Sequence, residues 1–225
     1  TVEVTLRMYW IVLPLAFVAA LIDAIGGGGG VISLPAYLKA GLSPVVASGS
    51  NKFSATFGSL LAAIRFIRSG RMPYAPALLA VAGALPGSYM GAELLKRVSD
   101  QWMRAFLLFA LPAAALLLIF GRVGAGEPRP MTRKKLALCP AIGLLAGFYD
   151  GFFGPGTGTI LILLFTGLIK MDMVSASGAA KLVNLASNVA AMISLLAGGK
   201  VLFELALPAM ACSALGGYLG AKLTV

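Results

Sequence analysis

The chain has 225 residues, of which 59% are hydrophobic and 12% charged, and its mean hydropathy is +0.93. Soluble domains average about 45–50% apolar and about 25% charged residues, so this composition excludes an ordinary soluble domain. The net charge of +10 would suggest nucleic-acid binding in a soluble protein. Here most Lys and Arg residues lie in short connections between apolar segments, as orientation signals of membrane proteins do. We therefore predict an integral membrane protein with the lipid bilayer, and no nucleic acid, as its partner.

The residue types exclude several kinds of chemistry. Histidine is absent, which removes most metal sites and every Ser-His or Cys-His catalytic arrangement. Cys139 and Cys212 lie in apolar runs without the CxxC spacing of metal or redox sites, so we interpret them as two small hydrophobic residues. We expect no metal, no cofactor and no catalytic residue.

Several apolar segments are long enough to cross a bilayer, which takes about 20 residues of helix. The segments without interruption are Ser43–Arg65, Tyr74–Leu95, Trp102–Gly121, Met173–Ala197 and Leu202–Leu223. The first apolar stretch, Trp10–Ala24, follows Arg7 and could be mistaken for a signal peptide. Its counterpart Leu138–Tyr149 lies in the middle of the chain, so we interpret Trp10–Ala24 as a retained helix.

Two further apolar stretches are interrupted by glycine. Trp10–Ile25 leads into Gly26–Gly30 and then Val31–Leu38, whereas Leu136–Phe153 leads into 154–158 (Gly-Pro-Gly-Thr-Gly) and then Thr159–Ile169. A regular helix does not continue through either break. Each stretch is therefore a discontinuous span or a re-entrant pair of half-helices.

The second half of the chain repeats motifs of the first at offsets of 128–129 residues. Residues 45–52 (Val-Val-Ala-Ser-Gly-Ser-Asn-Lys) correspond to 174–181 (Val-Ser-Ala-Ser-Gly-Ala-Ala-Lys), and 87–92 correspond to 216–221. We predict an all-α membrane helix bundle built from two internal repeats, 1–121 and 136–225, joined by the basic linker 122–135. Because the second repeat lacks a counterpart of Trp102–Gly121, we expect a further helix beyond Val225. Re-entrant breaks would make the repeats inverted.

The repeated lysines are the first candidate for a binding site. A charge near the bilayer centre costs roughly 2.5–3.5 kcal/mol on insertion scales, so Lys52 and Lys181 indicate a functional site for an anion. Ser48 and Ser177 each precede a lysine by four positions, on the same helical face. Polar neighbours that could bind the same anion are Asn51 and Asn184. The alternative is that the lysines extend towards the membrane surface.

The glycine breaks are the second candidate. A helix that begins inside the membrane directs free N–H groups and a partial positive charge at its ligand, which favours an anion. The glycines assigned to the site are Gly26, Gly28, Gly30, Gly154, Gly156 and Gly158. Asp23 and Asp150 precede the two breaks, where each could pair with a lysine or carry a proton.

These motifs resemble those of the sulfite exporter TauE/SafE family of membrane permeases. The resemblance is carried by Gly26–Pro35 (Gly-Gly-Gly-Gly-Gly-Val-Ile-Ser-Leu-Pro), by Gly41–Pro44 and by Ala47–Lys52, with a degenerate second copy in Gly151–Lys181. It implies about eight helices in two repeats, transport of sulfite, sulfonates or related sulfur anions, and a substrate site at the residues assigned above.

We therefore expect a secondary transporter of a small sulfur-containing anion, located in a bacterial inner membrane, that works by alternating access around a cationic site at the midplane. Two alternatives stay open. One is a passive anion channel. The other is an intramembrane hydrolase with a Ser–Lys dyad, since Ser48 with Lys52 and Ser177 with Lys181 have the spacing that such a dyad needs. The sequence does not indicate an oligomeric state.

Overall fold

The computed structural model describes residues 4–121 and 129–224, and it is helical throughout its regular parts. The helices are α1 (Leu6–Gly26), α2 (Gly30–Lys39), α3 (Pro44–Arg68), α4 (Tyr74–Arg97), α5 (Asp100–Phe120), α6 (Arg133–Phe152), α7 (Thr157–Leu164), α8 (Met173–Ala197) and α9 (Phe203–Thr224). A π-helical turn, Phe165–Ile169, extends α7. The predicted all-α membrane fold is confirmed. Residues 122–128 of the predicted linker, Val225 and the helix expected after it lie outside the described residues.

Within the described residues, five helices are long and apolar enough to cross a membrane: α1, α4, α5, α6 and α8. The predicted spans in α3 and α9 form helices of comparable length, 25 and 22 residues. Helix α3 is the more polar of the two because it carries a run of Ser, Asn and Lys side chains, whereas α9 contains several glycines, which have no apolar side chain. Both pack extensively inside the bundle, so their polar and small residues face protein.

The long helices run between two ends of the bundle. End A is defined as the end at which α3 begins, at Pro44, and end B as the end at which α3 finishes, at Arg68. Because the connection between α3 and α4 is short, α4 runs from end B back to end A. Gly178 of α8 lies beside Phe66 and Arg71, whereas Lys200, just after α8, lies beside Gly49. Helix α8 therefore runs antiparallel to α3, from end B to end A.

Close contacts between glycines and backbone give the direction of α6. A Cβ atom added at Gly83, Gly87 or Gly91 of α4 would collide with the backbone of α6 at successively later positions, beginning at Pro140 and ending near Phe148. The two helices are therefore parallel. Their backbones approach closely, as is typical of membrane helices that pack through small residues. Gly216 and Gly220 of α9 approach α1 in the same manner, which makes α1 parallel to α9.

The glycine breaks turn the chain back towards the end from which it entered. Helix α1 starts at end A, and α2 returns to end A, where α3 begins. Helix α6 starts at end B, and α7 returns to end B, where α8 begins. We name these segments hairpin A (Leu6–Lys39) and hairpin B (Arg133–Ile169). The two hairpins enter the bundle from opposite ends. Of the two arrangements that the sequence leaves open, a discontinuous span and a re-entrant pair of half-helices, this is the re-entrant one.

The surface of the bundle is apolar, as expected of a lipid-facing protein. Large exposed side chains are spread over α1, α5 and α6, among them Trp10, Trp102, Phe109 and Leu145. Helix α5 lies at the periphery and buries few of its residues. Its inner side nevertheless covers both breaks, since Leu118 lies against Gly28 and Ala114 against Gly156.

Candidate functional site

The tips of the two hairpins meet inside the bundle. The Thr159 hydroxyl donates a hydrogen bond to the Gly26 carbonyl over 3.4 Å. A Cβ atom at Gly27 would collide with the backbone of Gly158, and one at Gly30 would touch the backbone of Pro155. Gly27 and Gly28 have positive φ angles of 81° and 85°, which side-chain-bearing residues rarely adopt. The contact thus needs glycine for both its backbone conformation and its closeness.

A cavity of about 50 Å³ lies beside the meeting point. It is large enough for a few water molecules and is lined in part by charged and polar side chains, which makes it a place where water or a small ligand can bind. Side chains and backbone from both hairpins, α3, α8 and α9 line it: Asp23, Gly28, Gly29, Gly30, Ser33, Asn51, Lys52, Gly58, Ser59, Asp150, Gly154, Gly156, Thr157, Gly158, Asn184, Asn188 and Ser213, together with alanines of α1 and α3. We call this the central cavity.

One wall of the central cavity carries an ion pair whose side chains are almost completely buried; we call it the sealed pair. Lys52 Nζ lies 2.5 Å from Asp150 Oδ2, and the two side chains are 4% and 3% exposed. Lys52 also donates a hydrogen bond to Asn188 Oδ1 over 3.0 Å. The Ser187 hydroxyl donates to Asp150 over 2.5 Å. Both charged groups are therefore neutralised and hydrogen-bonded, which a buried pair needs in order to be tolerated.

A second ion pair lies on the other wall and is built differently. Lys181 Nζ lies 2.9 Å from Asp23 Oδ2 and also donates to the Asp23 carbonyl. The lysine is fully buried, whereas the aspartate side chain is 19% exposed and lines the cavity. Asn184 Nδ2 donates to Asp23 Oδ2 over 3.4 Å, and the Gly29 N–H donates to Asp23 Oδ1 over 3.2 Å. This carboxylate accepts hydrogen bonds from α8 and from the start of hairpin A's second helix.

The ion pairs connect the two halves of the chain crosswise. Lys52 of the first half pairs with Asp150 of the second, and Lys181 of the second half pairs with Asp23 of the first. Each lysine follows the first residue of its helix by eight positions, about 12 Å at 1.5 Å per residue. Because α3 and α8 are antiparallel, one pair lies nearer end A and the other nearer end B.

Between the pairs, the helices α3 and α8 touch through polar side chains. Asn188 Nδ2 donates to the Ser59 hydroxyl over 3.3 Å, so Asn188 connects Ser59 to Lys52. Asn51 is different: it lines the cavity and is only 8% exposed, yet its Oδ1 atom has no hydrogen-bond partner within residues 4–121 and 129–224. A buried amide without a partner is costly, and such a group in a cavity indicates that water or a ligand completes its hydrogen bonds.

Most of the predicted site residues share the central cavity. Those that line it are Asp23, Gly28, Gly30, Asn51, Lys52, Asp150, Gly154, Gly156, Gly158 and Asn184. Those that do not are Gly26, Ser48, Ser177 and Lys181. The Gly26 carbonyl holds the hairpin tips together, and Lys181 lies behind Asp23. Neither serine shares a hydrogen bond with the lysine four positions later in the described part of the chain, because both lysines bind aspartates instead.

The structure adds residues that the sequence did not indicate. Ser59 and Ser213 line the cavity, and Ser187 binds Asp150. Each lies in a helix rich in small residues, where a serine is as readily explained by close packing. Ser59 corresponds to Asn188 at the repeat offset of 129, and both residues line the cavity. Among the described residues, no three His, Cys, Asp or Glu side chains come together as metal ligands would.

Comparison with known families identifies the family of the chain. The family described as sulfite exporter TauE/SafE matches residues 12–225, which is nearly the whole chain. The chain belongs to the TauE/SafE family. The family resemblance seen in the glycine and lysine motifs is therefore confirmed.

The TauE/SafE relatives are bacterial proteins with transporter names. The chain is 34% identical to a probable membrane transporter protein of Haemophilus influenzae over 99% of the chain and 88% of that protein. It is 33% identical to the probable membrane transporter protein YfcA of Escherichia coli over 93% of the chain and 78% of that protein. It is 36% identical to the probable membrane transporter protein ORF9 of Sinorhizobium sp., with coverages of 92% and 78%. No solved structure matches the chain.

Proposed function

We propose that this membrane transporter carries small sulfur-containing anions, such as sulfite or a sulfonate, by alternating access around the central cavity. The observation that carries the proposal is the meeting of two half-helix starts, Gly30 and Thr157, at a cavity lined by the Lys52–Asp150 ion pair and by the Asp23 carboxylate that pairs with Lys181. Helix starts, ammonium groups and amide N–H groups all favour an oxyanion. The family description names sulfite, which supports the choice of anion.

The proposed substrate site comprises the predicted residues in two roles. The cavity wall around the anion is formed by Gly28, Gly30, Gly154, Gly156, Gly158, Asn51, Lys52 and Asn184, with Lys52 still paired to Asp150, whereas Lys181 lies behind the Asp23 carboxylate. Gly26, Ser48 and Ser177 support the site, Gly26 through the hairpin tips. Asp23 neutralises Lys181 as long as no anion is present.

Alternating access is supported by the reciprocal contacts of the two halves. The crossed ion pairs are one reciprocal set. A second reciprocal set consists of two contacts, Gly49 beside Lys200 and Gly178 beside Arg71. At the offset of 129, Gly49 corresponds to Gly178 and Arg71 corresponds to Lys200. Such contacts are expected of inverted repeats related by an axis in the membrane plane. Rocking one hairpin away from its partner helix would open the cavity to one end and leave the other end closed.

The small volume of the central cavity favours a carrier over a channel. A channel needs a continuous wet path, whereas here the ion pairs and the hairpin tips border a cavity of only about 50 Å³. The hydrolase alternative loses its main support, because Lys52 is ion-paired with Asp150 and does not contact Ser48 in the described structure. A charged, paired lysine is not a general base.

The distribution of basic residues supports one orientation in the proposed bacterial cell membrane. End B carries more Lys and Arg residues (Arg65, Arg68, Arg71, Arg129, Arg133, Lys134, Lys135, Lys170, Lys222) than end A (Arg7, Lys39, Lys96, Arg97, Arg104, Lys200). Cytoplasmic ends of membrane helices are enriched in these residues. End B is accordingly assigned to the cytoplasm, and hairpin B enters from that side.

Reconstitution into liposomes tests the transport function. Purified protein should produce saturable sulfite flux, and both Lys52→Ala and Lys181→Ala should reduce it strongly. Lys96→Ala is the matched control, because this lysine pairs with Glu93 outside the central cavity. Flux that rises linearly with concentration would indicate a channel. Wild-type flux that survives both cavity substitutions would overturn the assignment of the site.

A further inference from the structure

The Asp23 carboxylate is held in the manner of a bound oxyanion. One of its oxygens accepts from Lys181 and Asn184, and the other accepts from the N–H of Gly29 at the start of α2. An ammonium group, an amide N–H and a helix N-terminus are the donors that bind oxyanions in proteins. The Asp150 carboxylate, in contrast, pairs with Lys52 and a serine hydroxyl and receives no backbone N–H in the described part of the chain.

Asp23 is also the member of its ion pair that faces the central cavity. Its side chain is 19% exposed and lines the central cavity, whereas Lys181 behind it has no exposed side-chain surface. Asn51 lines the same cavity with a buried amide oxygen that has no partner among the described residues. The cavity therefore presents one anion subsite that is already filled by a side chain and one polar group that is not satisfied.

The charges of the cavity balance before any substrate enters. Two lysines and two aspartates form two pairs. An anion added to this set would bring an uncompensated charge into a buried site, which is strongly unfavourable. The charge balance is kept if one aspartate takes up a proton as the anion binds, because the neutral carboxyl group no longer needs its lysine.

We propose that Asp23 is the proton-accepting residue of a proton–anion symport, and that the transported anion takes the place of its carboxylate on Lys181, Asn184 and the Gly29 N–H. This inference rests on the proposed transport function. A proton binds to one Asp23 oxygen from the side to which the cavity opens, the Lys181–Asp23 ion pair breaks, and the anion pairs with Lys181. On the other side the anion leaves, Asp23 releases its proton there, and the ion pair forms again. Asp150 keeps its charge throughout.

The groups around Asp23 are consistent with this assignment. Helix α8 presents Lys181 and Asn184 to it, and α2 presents the Gly29 N–H. Across the cavity, α3 presents Lys52 and hairpin B presents Asp150, which neutralise each other. The remaining residues that line the cavity from α7 and α9, such as Thr157, Gly158 and Ser213, carry no titratable group.

The test uses methanesulfonate, whose charge stays the same between about pH 5 and pH 8, whereas sulfite itself takes up a proton near neutral pH and would obscure the measurement. Proteoliposomes containing a pH-sensitive dye receive an inward methanesulfonate gradient at clamped membrane potential. We expect the interior to acidify by one proton for each methanesulfonate taken up. Uptake of methanesulfonate without acidification would overturn the proton coupling and leave the transport function intact.

The variants Asp23→Asn and Asp150→Asn separate the two carboxylates. Asp23→Asn should abolish acidification while methanesulfonate still raises the thermal unfolding temperature of the purified protein, because Lys181 is then open to the anion. Retained acidification in Asp23→Asn would overturn the choice of residue. If Asp23→Asn does not fold, the wild-type ratio of protons to anions still decides the coupling. Wild-type protein that moves neither sulfite nor methanesulfonate would overturn the transport function and this inference together.

Discussion

The two lysine–aspartate pairs have the same residues but differ in how tightly they are enclosed. At the Lys52–Asp150 pair both side chains are nearly inaccessible. The lysine also donates a hydrogen bond to Asn188, and the aspartate also accepts one from Ser187. At the Lys181–Asp23 pair the lysine is buried, but the carboxylate faces the central cavity and accepts a backbone N–H at a helix start. The first pair is a fixed connection between α3 and hairpin B. The second is the part of the site that a ligand can reach.

This difference shows how one duplicated motif can serve two purposes. A buried pair contributes little net stability, since the loss of solvation offsets the attraction, but losing one partner is costly. The sealed pair can therefore hold hairpin B against α3 for as long as both charges are present. The open pair can exchange a carboxylate for another anion because its donors stay in place.

The largest effect is expected from removing one charge of the sealed pair. Lys52→Met leaves the Asp150 carboxylate buried without its cation, and such changes cost about 3–5 kcal/mol. Thermal unfolding in detergent should show a large loss of stability, and the double variant Lys52→Met/Asp150→Leu should recover most of it. A Lys52→Met protein as stable as wild type would contradict the sealed state of this pair.

A smaller effect is expected at the open pair. Asp23→Asn removes the counter-charge of Lys181 but keeps a hydrogen-bond acceptor for Gly29 and Lys181, and its side chain is in contact with the cavity, where water or an anion can compensate the lysine, so the expected loss is smaller than that of Asp150→Asn. The same thermal unfolding assay with Asp150→Asn provides the direct comparison. If Asp23→Asn were the more destabilising of the two aspartate variants, the distinction between the pairs would be wrong.

Asn51→Leu should separate stability from binding. Its amide oxygen has no partner in the described structure, so replacing the side chain with an apolar one of similar size should change the free energy of unfolding by less than about 1 kcal/mol. Binding of sulfite, measured as a shift in unfolding temperature, should be lost. A marked loss of stability without any loss of sulfite binding would show that Asn51 is a structural residue.

The smallest effect is expected at the Glu93–Lys96 pair, which resembles the cavity pairs in composition alone. Its side chains are partly exposed at end A, and Lys96 donates to the glutamate over 2.7 Å. Exposed ion pairs contribute little because water and salt screen them. Glu93→Gln should leave both unfolding temperature and sulfite flux unchanged. A loss of flux in this variant would indicate that the transport path extends beyond the central cavity.

The sequence predicted the helices and the breaks well, because apolar length and glycine runs are local signals. Met173–Ala197 was predicted with its observed bounds, and both breaks fall where the glycines are. The pairing of the aspartates was not predictable, since it depends on which helices become neighbours in space. The position of Lys181 behind Asp23 and the absence of Ser48 from the cavity wall depend on helix rotation, which spacing along one helix does not fix.

The most direct test of the anion site is to locate an anion in it. Selenite has the shape and charge of sulfite, and the anomalous scattering of selenium identifies it in a crystal. We expect a selenium peak in the central cavity, with the selenite oxygens within hydrogen-bonding distance of Asn51 or of the donors that now hold Asp23. The same crystals of Asn51→Leu should lack the peak. Selenium bound elsewhere, for example at the arginines of end B, with an empty central cavity would show that the central cavity is not the anion site.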